Sequence, residues 1–208
     1  MNQSFVPETS ERLAAALRRF DQENSQDPNF HVVDGARLPR ELVYARWLGQ
    51  WVLKLEPGAS EVLRLAAHGA HLRRWEIPRS AYPATRAGYL RWRQELKEFH
   101  AQKAADILRN LGYADTVIAR VEGLISKRAF PNDPESRVLE DALCLLFLEH
   151  QFAELAAKSA DDKMINAVQK TWKKMSTKAQ EIARGLPYGA RERDLLTRAL
   201  SGESASES

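Results

Sequence analysis

Residues 86–111 read RAGYLRWRQELKEFHAQKAADILRNL and predict one long helix that ends at Gly112. Residues three or four apart share one face of a helix. The residues with this spacing here are Leu96, His100, Ala104, Ile107 and Leu111. The stretch therefore predicts an apolar stripe that includes one ionisable residue, His100.

Apolar residues three or four apart recur along the rest of the chain, and no alternation of apolar and polar residues typical of strands is present. Seven further helices are predicted, at 8–23, 39–55, 60–72, 114–127, 134–157, 161–184 and 189–200. The polar stretch at 22–39, QENSQDPNFHVVDGARLP, is interpreted as an ordered loop. We predict an all-α fold, a single-domain helical bundle of about 7–8 helices over residues 1–200, with a disordered tail at 201–208, SGESASES.

Composition excludes several classes of protein. The chain has 208 residues, of which 31 are basic and 28 acidic, and the resulting net charge of +3 is too small to indicate nucleic-acid binding by itself. The single cysteine, Cys144, rules out a disulfide framework and favours the cytoplasm. No apolar run approaches the ~18 residues of a membrane span. The N-terminus, MNQSFVPETSERL, lacks the basic and apolar regions of a secretory signal.

Four ionisable residues occupy or border apolar stripes on four different predicted helices, namely Glu41, His71, His100 and Asp141. A buried charge costs several kcal/mol unless it is paired or binds a metal. Imidazole and carboxylate groups bind manganese, iron or zinc in helical cores. We therefore predict a common polar site that binds a divalent metal through these residues, with His68, one turn before His71, as a further candidate ligand.

A structural role for the same residues remains open at this point. A core histidine is often satisfied by a carbonyl or a carboxylate group, and His100 and Asp141 could form such a pair. Glu41 could pair with one of several arginines. Spacing cannot decide between these alternatives, because ligands on separate helices form no compact motif.

The segment 73–93 combines arginine with aromatic side chains. Its six arginines face a single acid, Glu76, which gives a local charge of +5. Arginine binds phosphate in a bidentate manner, and aromatic faces can stack a base. We therefore predict an anion-binding site formed by Arg73, Arg74 and Arg79. The anion could be a phosphorylated small molecule, a nucleotide or an RNA end. The alternative is a surface segment whose arginines pair with nearby acids.

Four segments resemble the uncharacterised domain-of-unknown-function family 4202. They are LPRELVYARW at 38–47, HLRRWEIPRSAYPATRAGYLRWRQELKEFHAQKA at 71–104, LEDALCLLFLEHQFAE at 139–154 and KTWKKMS at 170–176. The resemblance covers about residues 12–185 and implies no established activity.

The helix order is also distantly similar to the HD metal-dependent phosphohydrolase superfamily. This resemblance implies an HD-like core, with Glu41 near the position of the first metal-binding histidine, His100 as a further histidine and Asp141 as the last aspartate. Two departures weaken it: Leu72 follows His71 where the His-Asp pair would need aspartate, and Lys127 stands where another histidine could stand.

These features predict a metal-dependent hydrolase that acts on a phosphorylated small molecule or nucleotide. Two alternatives remain. One is a non-enzymatic module that binds RNA or a partner protein through segment 73–93. The other is a non-haem iron oxygenase, because the same ligand types would serve it.

Overall fold

A computed structural model of the chain describes residues 10–201. Within that range the chain forms ten α-helices and one β-hairpin. The helices are α1 (Glu11–Asn24), α2 (Arg40–Leu55), α3 (Glu61–Gly69), α4 (Arg86–Asn110), α5 (Asp115–Ile125), α6 (Pro134–His150), α7 (Phe152–Ala157), α8 (Asp161–Trp172), α9 (Thr177–Arg184) and α10 (Ala190–Ser201). The hairpin consists of β1 (Phe30–Val33) and β2 (Ala36–Pro39). The predicted all-α class is confirmed, whereas the predicted disordered tail lies, except for Ser201, outside the described residues.

The chain divides into two compact units, one up to Leu139 and one from Glu140. The helix α3 is the centre of the first unit, because it packs against α1, α2, α4 and α5. Its Leu63 and Leu65 are almost fully buried. Burying one such side chain contributes about 1.5–3 kcal/mol. The Ser60 hydroxyl caps α3 by accepting a hydrogen bond from the N–H of Leu63 (3.1 Å).

The long helix α4 lies close to its predicted position. The Thr85 hydroxyl accepts a hydrogen bond from the N–H of Gly88 (3.1 Å) and caps its first turn. Gly112 follows the helix with a φ of +72°. This left-handed conformation is one that glycine adopts without a steric cost, so the helix ends there.

The prediction of a loop without strands at 22–39 is wrong. The two strands pair antiparallel, with Val33 opposite Ala36. Asp34 and Gly35 form the connecting turn, and both have a positive φ, of 50° and 79°. Asp-Gly between two strands is a strong hairpin signal, because a tight turn of this type needs a positive φ at both positions.

Two helices predicted in the second half of the chain are each divided in the structure. The predicted helix 134–157 is interrupted at Gln151, between α6 and α7. The predicted helix 161–184 is divided into α8 and α9, because the Ser176 hydroxyl accepts a hydrogen bond from the N–H of Ala179 (3.2 Å) and starts a new helix. In the second unit, α10 packs against α7 and α8. None of the described helices has the length and apolar character that a membrane crossing requires.

His68 has a packing role in the first unit. Its Nδ1 lies 3.2 Å from the carbonyl oxygen of Arg64, and its imidazole packs directly on Gly49 of α2. A Cβ atom at position 49 would overlap the ring. The absence of a side chain at Gly49 therefore allows α2 and α3 to approach closely.

We expect Gly49→Ala to lower the free energy of unfolding by about 1–3 kcal/mol, because the added methyl group overpacks the core. Gly123→Ala in α5 is the matched control. A Cβ atom at Gly123 meets no atom within 4 Å, so alanine should be neutral or stabilise the helix by up to about 1 kcal/mol. Urea denaturation of both variants measures the difference. Equal effects at the two glycines would contradict the close packing of His68 on Gly49.

Candidate functional site

Glu41 is held in the first turn of α2 by a buried aspartate. Asp27 Oδ2 accepts a hydrogen bond from the backbone N–H of Glu41 (3.0 Å). Asp27 therefore satisfies one of the N–H groups that a helix leaves unbonded at its start. The residue is only 5% exposed, so its carboxyl group lies inside the first unit.

A tight turn after α3 carries His71 and Arg74. Arg73 lies between them in the left-handed region, with a φ of 52°. This strained conformation is stabilised from α1: Asn24 Oδ1 accepts a hydrogen bond from the N–H of Arg73 (3.2 Å), and Glu23 forms an ion pair with its guanidinium (2.8 Å). Arg73 thus fixes the turn.

His71 and Arg74 both approach the Glu41 carboxyl group without bonding to it. His71 Nδ1 lies 3.8 Å from Glu41 Oε2, and Arg74 Nε lies 3.9 Å from Glu41 Oε1. Both distances exceed those of hydrogen bonds. Glu41 Oε2 is buried and has no hydrogen-bond partner among the described residues. A buried polar atom without a partner is costly, so this oxygen is a candidate to contact a bound molecule.

His100 presents a second buried acceptor. Its Nδ1 lies 2.8 Å from the carbonyl oxygen of Leu72 and donates a hydrogen bond to it, which leaves a lone pair on Nε2. Nε2 is buried and has no partner in the described part of the chain. The centroids of the His71 and His100 rings are 5.9 Å apart. The structural alternative for His100 was a carbonyl or a carboxylate partner, and in the structure its partner is the carbonyl of Leu72.

Burial shifts the pKa values of Glu41, His71 and His100 in the direction that favours the uncharged form of each. It raises the pKa of Glu41 from 4.5 to about 7, although the positive charge of Arg74 opposes the shift. It lowers the pKa of His100 to about 3 and that of His71 well below its usual range, and the charges of Arg74 and Arg93 lower both further. At neutral pH the imidazoles are uncharged and Glu41 is close to half protonated.

Arg93 completes a group that we call the Glu41 cluster: Glu41, His71, Arg74, Arg93 and His100. Arg93 is half-buried in α4, seven residues before His100 and therefore on the same helix face. It forms no ion pair with an acid in the described chain, so its charge is available to an anion. Arg93 was not among the predicted anion-binding arginines, although its spacing of seven residues from His100 was a usable signal.

The other two arginines predicted to bind an anion have intramolecular partners. Arg73 is paired with Glu23 and Glu76. Arg79 donates to the carbonyl oxygens of Tyr82 and Pro83, both at 2.8 Å. Of the three predicted arginines, Arg74 is the one that lies beside Glu41.

Asp141 belongs to the second unit and binds the start of α9. Its Oδ1 accepts a hydrogen bond from the N–H of Ser176 (2.8 Å), and its Oδ2 accepts one from the Ser176 hydroxyl (2.5 Å). Both oxygens are therefore satisfied. These bonds explain why an acid is buried in the apolar stripe of α6.

The described residues contain no group with the geometry of the predicted metal site. Among residues 10–201, no group of three or more His, Cys, Asp or Glu side chains is arranged to hold a metal ion. Metal binding by Glu41, His71, His100 and Asp141, with His68 as a further ligand, therefore stays a prediction.

Comparison with known proteins identifies the family. The model of a family described as "Domain of unknown function (DUF4202)" matches residues 14–196. The chain belongs to this family. No curated protein and no solved structure matches it significantly. The family assignment confirms the first resemblance noted in the sequence, whereas the resemblance to the HD superfamily stays a prediction.

The raised pKa of Glu41 predicts an unusual dependence of stability on pH. Between pH 4.5 and about 7, the folded protein retains a proton that the unfolded chain releases, so this group makes the protein less stable as the pH rises. Glu41→Gln should remove that loss, raising the free energy of unfolding by up to about 3 kcal/mol at pH 8 and changing it little at pH 4.5.

Urea denaturation at the two pH values measures this effect. Glu98→Gln is the control, because Glu98 is exposed on α4. An equal change in Glu41→Gln at both pH values would show that the carboxyl group does not have a raised pKa.

Asp141→Ala tests whether the buried Asp141 has a structural role. The change leaves the N–H of Ser176 without its acceptor and should cost about 1–3 kcal/mol of stability, whether or not a chelator is present. Asp162→Ala, at an exposed position in α8, should be close to neutral. If chelator lowered the stability of the wild type to that of Asp141→Ala, Asp141 would instead be a metal ligand.

Proposed function

We propose that the Glu41 cluster is the active site of a hydrolase that acts on a phosphorylated small molecule or nucleotide. The observation that carries the proposal is the pair of buried acceptors without partners, Glu41 Oε2 and His100 Nε2, beside the half-buried cations Arg74 and Arg93. A structural polar network normally satisfies its own atoms. This one leaves two acceptors and an arginine to be satisfied by a ligand.

In the proposed reaction, Arg74 and Arg93 bind the phosphate oxygens. Guanidinium groups suit this role because they donate two hydrogen bonds in a fixed plane and remain charged. A phosphate group would reach the cluster beside His71 and Arg74, whose side chains remain 24% and 30% exposed. The positive charges of the two arginines would also stabilise the negative charge that develops on the phosphoryl group in the transition state.

Glu41 would be the general base. Its unbonded Oε2 would accept a proton from the attacking water molecule, and the unbonded Nε2 of His100 would accept a hydrogen bond from that water or from the substrate. Glu41 takes the proton as the new P–O bond forms and the ester P–O bond breaks, and the leaving oxygen takes a proton from solvent. A base with a pKa near the working pH is effective in both taking and releasing the proton.

The non-enzymatic alternative receives less support from the contacts of segment 73–93. Arg73 and Arg79 already bind groups of the same chain, and Arg91 is paired with Glu95 at 2.7 Å. Half of the six arginines are therefore not free to contact RNA or a partner protein. The oxygenase alternative depends on a metal site and remains a prediction without a supporting contact.

We expect purified protein to release inorganic phosphate from at least one member of a panel of phosphate monoesters. Glu41→Gln should lower kcat by about 10²–10⁴-fold, the usual contribution of a general base. Arg93→Ala should lower kcat/KM by about ten-fold or more, through loss of a charged hydrogen bond. In the wild type, kcat/KM should rise with pH to a plateau, with an apparent pKa near 7 from Glu41.

Glu98→Gln and Arg109→Ala are the matched controls, because both change the same residue types at exposed positions of α4. Assays with chelator and with added Mn²⁺, Fe²⁺ or Zn²⁺ test the separate prediction of a metal. Activity that survives Glu41→Gln unchanged would exclude Glu41 as the base.

A further inference from the structure

Tyr89 is an exposed aromatic residue at the edge of the Glu41 cluster. It lies in the first turn of α4, and 43% of its surface is exposed. The other polar aromatic groups near it are engaged: Trp92 donates through Nε1 to the carbonyl oxygen of Ile77 (2.9 Å), and the Tyr82 hydroxyl donates to Glu95. Within segment 73–93, Tyr89 is the aromatic side chain that is exposed rather than half-buried.

The helix α4 presents Tyr89, Arg93 and His100 on one face. Tyr89 precedes Arg93 by four residues, and Arg93 precedes His100 by seven, so the three positions nearly align along the helix. Four residues correspond to a rise of about 6 Å. An aromatic ring is thus placed one helical turn beyond the arginine that we assign to the phosphate, on the side away from His100.

Trp92 also connects Tyr89 to Arg74. The Arg74 guanidinium carbon is 5.1 Å from the centroid of the Trp92 ring, and the centroids of the Tyr89 and Trp92 rings are 5.9 Å apart. Tyr89 also acts electrostatically on Arg74. The exposed ring and the two arginines therefore belong to one continuous surface.

We propose that Tyr89 stacks a planar ring that the substrate carries next to its phosphate group. The substrate class is then a phosphate monoester with an aromatic ring, such as a nucleoside 5′-monophosphate, rather than a simple sugar phosphate. This inference rests on the proposed function of the Glu41 cluster. The spacing of one helical turn between ring and cation matches a ligand whose base and phosphate are joined by a single sugar.

The experiment compares adenosine 5′-monophosphate with ribose 5-phosphate by isothermal titration calorimetry. The two probes share the sugar phosphate and differ in the base. We expect the nucleotide to bind wild-type protein about ten-fold more tightly, the effect of stacking one base on an aromatic side chain. Tyr89→Ala should reduce nucleotide affinity to that of ribose 5-phosphate, whereas Tyr89→Phe should retain the difference.

Two controls separate stacking from general damage. Leu90→Ala removes the neighbouring exposed side chain, 57% exposed, and should leave both affinities unchanged. Arg93→Ala should weaken both probes equally, because both carry the phosphate.

The outcomes distinguish this inference from the proposed function. If both probes bind wild type equally, or if Tyr89→Ala keeps the ten-fold difference, stacking on Tyr89 is wrong and the phosphate site stands. If neither probe binds the folded protein, the phosphate site itself is wrong and the inference fails with it. If a short single-stranded RNA binds far more tightly than the mononucleotide, the surface is an RNA-binding face and the inference is overturned.

Discussion

The burial of one carboxyl group, that of Glu41, constrains the rest of the candidate site. Asp27 fixes the backbone of Glu41 at the start of α2, and the residue is only 5% exposed. Arg74, whose Nε lies 3.9 Å from Glu41 Oε1, offsets only part of the cost of removing the carboxylate charge from water. The protein therefore retains a group that is close to half protonated at neutral pH, in a place where a fully apolar or fully paired residue would be more stable.

Two of the buried acids, Glu41 and Asp141, differ in how completely they are bonded. Both oxygens of Asp141 accept hydrogen bonds from Ser176, and the result is the start of a helix. Glu41 keeps a buried oxygen without a partner, and the neighbouring His100 keeps a buried nitrogen without one. The complete bonding of Asp141 is explained by its structural role at the start of α9. Incomplete bonding like that of Glu41 and His100 is typical of sites whose remaining partner is a ligand or a reacting water molecule.

The long helix α4 carries Tyr89, Arg93 and His100, which have separate roles in the proposed function. Tyr89, Arg93 and His100 follow one another along one face, so a single rigid element sets the distances between an aromatic ring, a cation and an imidazole group. Trp92 steadies this arrangement from the adjacent face, because it bonds to the Ile77 carbonyl and packs against Arg74. A site built on a helix in this way holds its geometry more closely than a site on a loop. The turn at Arg73 needs more support, which the side chains of α1 provide.

The sequence by itself determined the helical class, the position of α4 and the caps at Ser60 and Gly112, because these depend on residues within one or two turns of each other. It also selected Glu41, His71, His100 and Asp141 as polar residues in or beside apolar stripes. Glu41, His100 and Asp141 are buried on helices, whereas His71 lies in the turn after α3. Asp34-Gly35 was a usable hairpin signal, but the polar stretch around it was interpreted as a loop. The tertiary structure alone decided which stripes face each other. In the structure, His100 bonds to the carbonyl oxygen of Leu72, and Asp141 bonds to Ser176. Arg73 and Arg79 bind groups of the same chain, whereas Arg74 approaches Glu41. Helical spacing fixes the face on which a side chain lies, but the partner across the gap depends on helix packing, which no local pattern encodes.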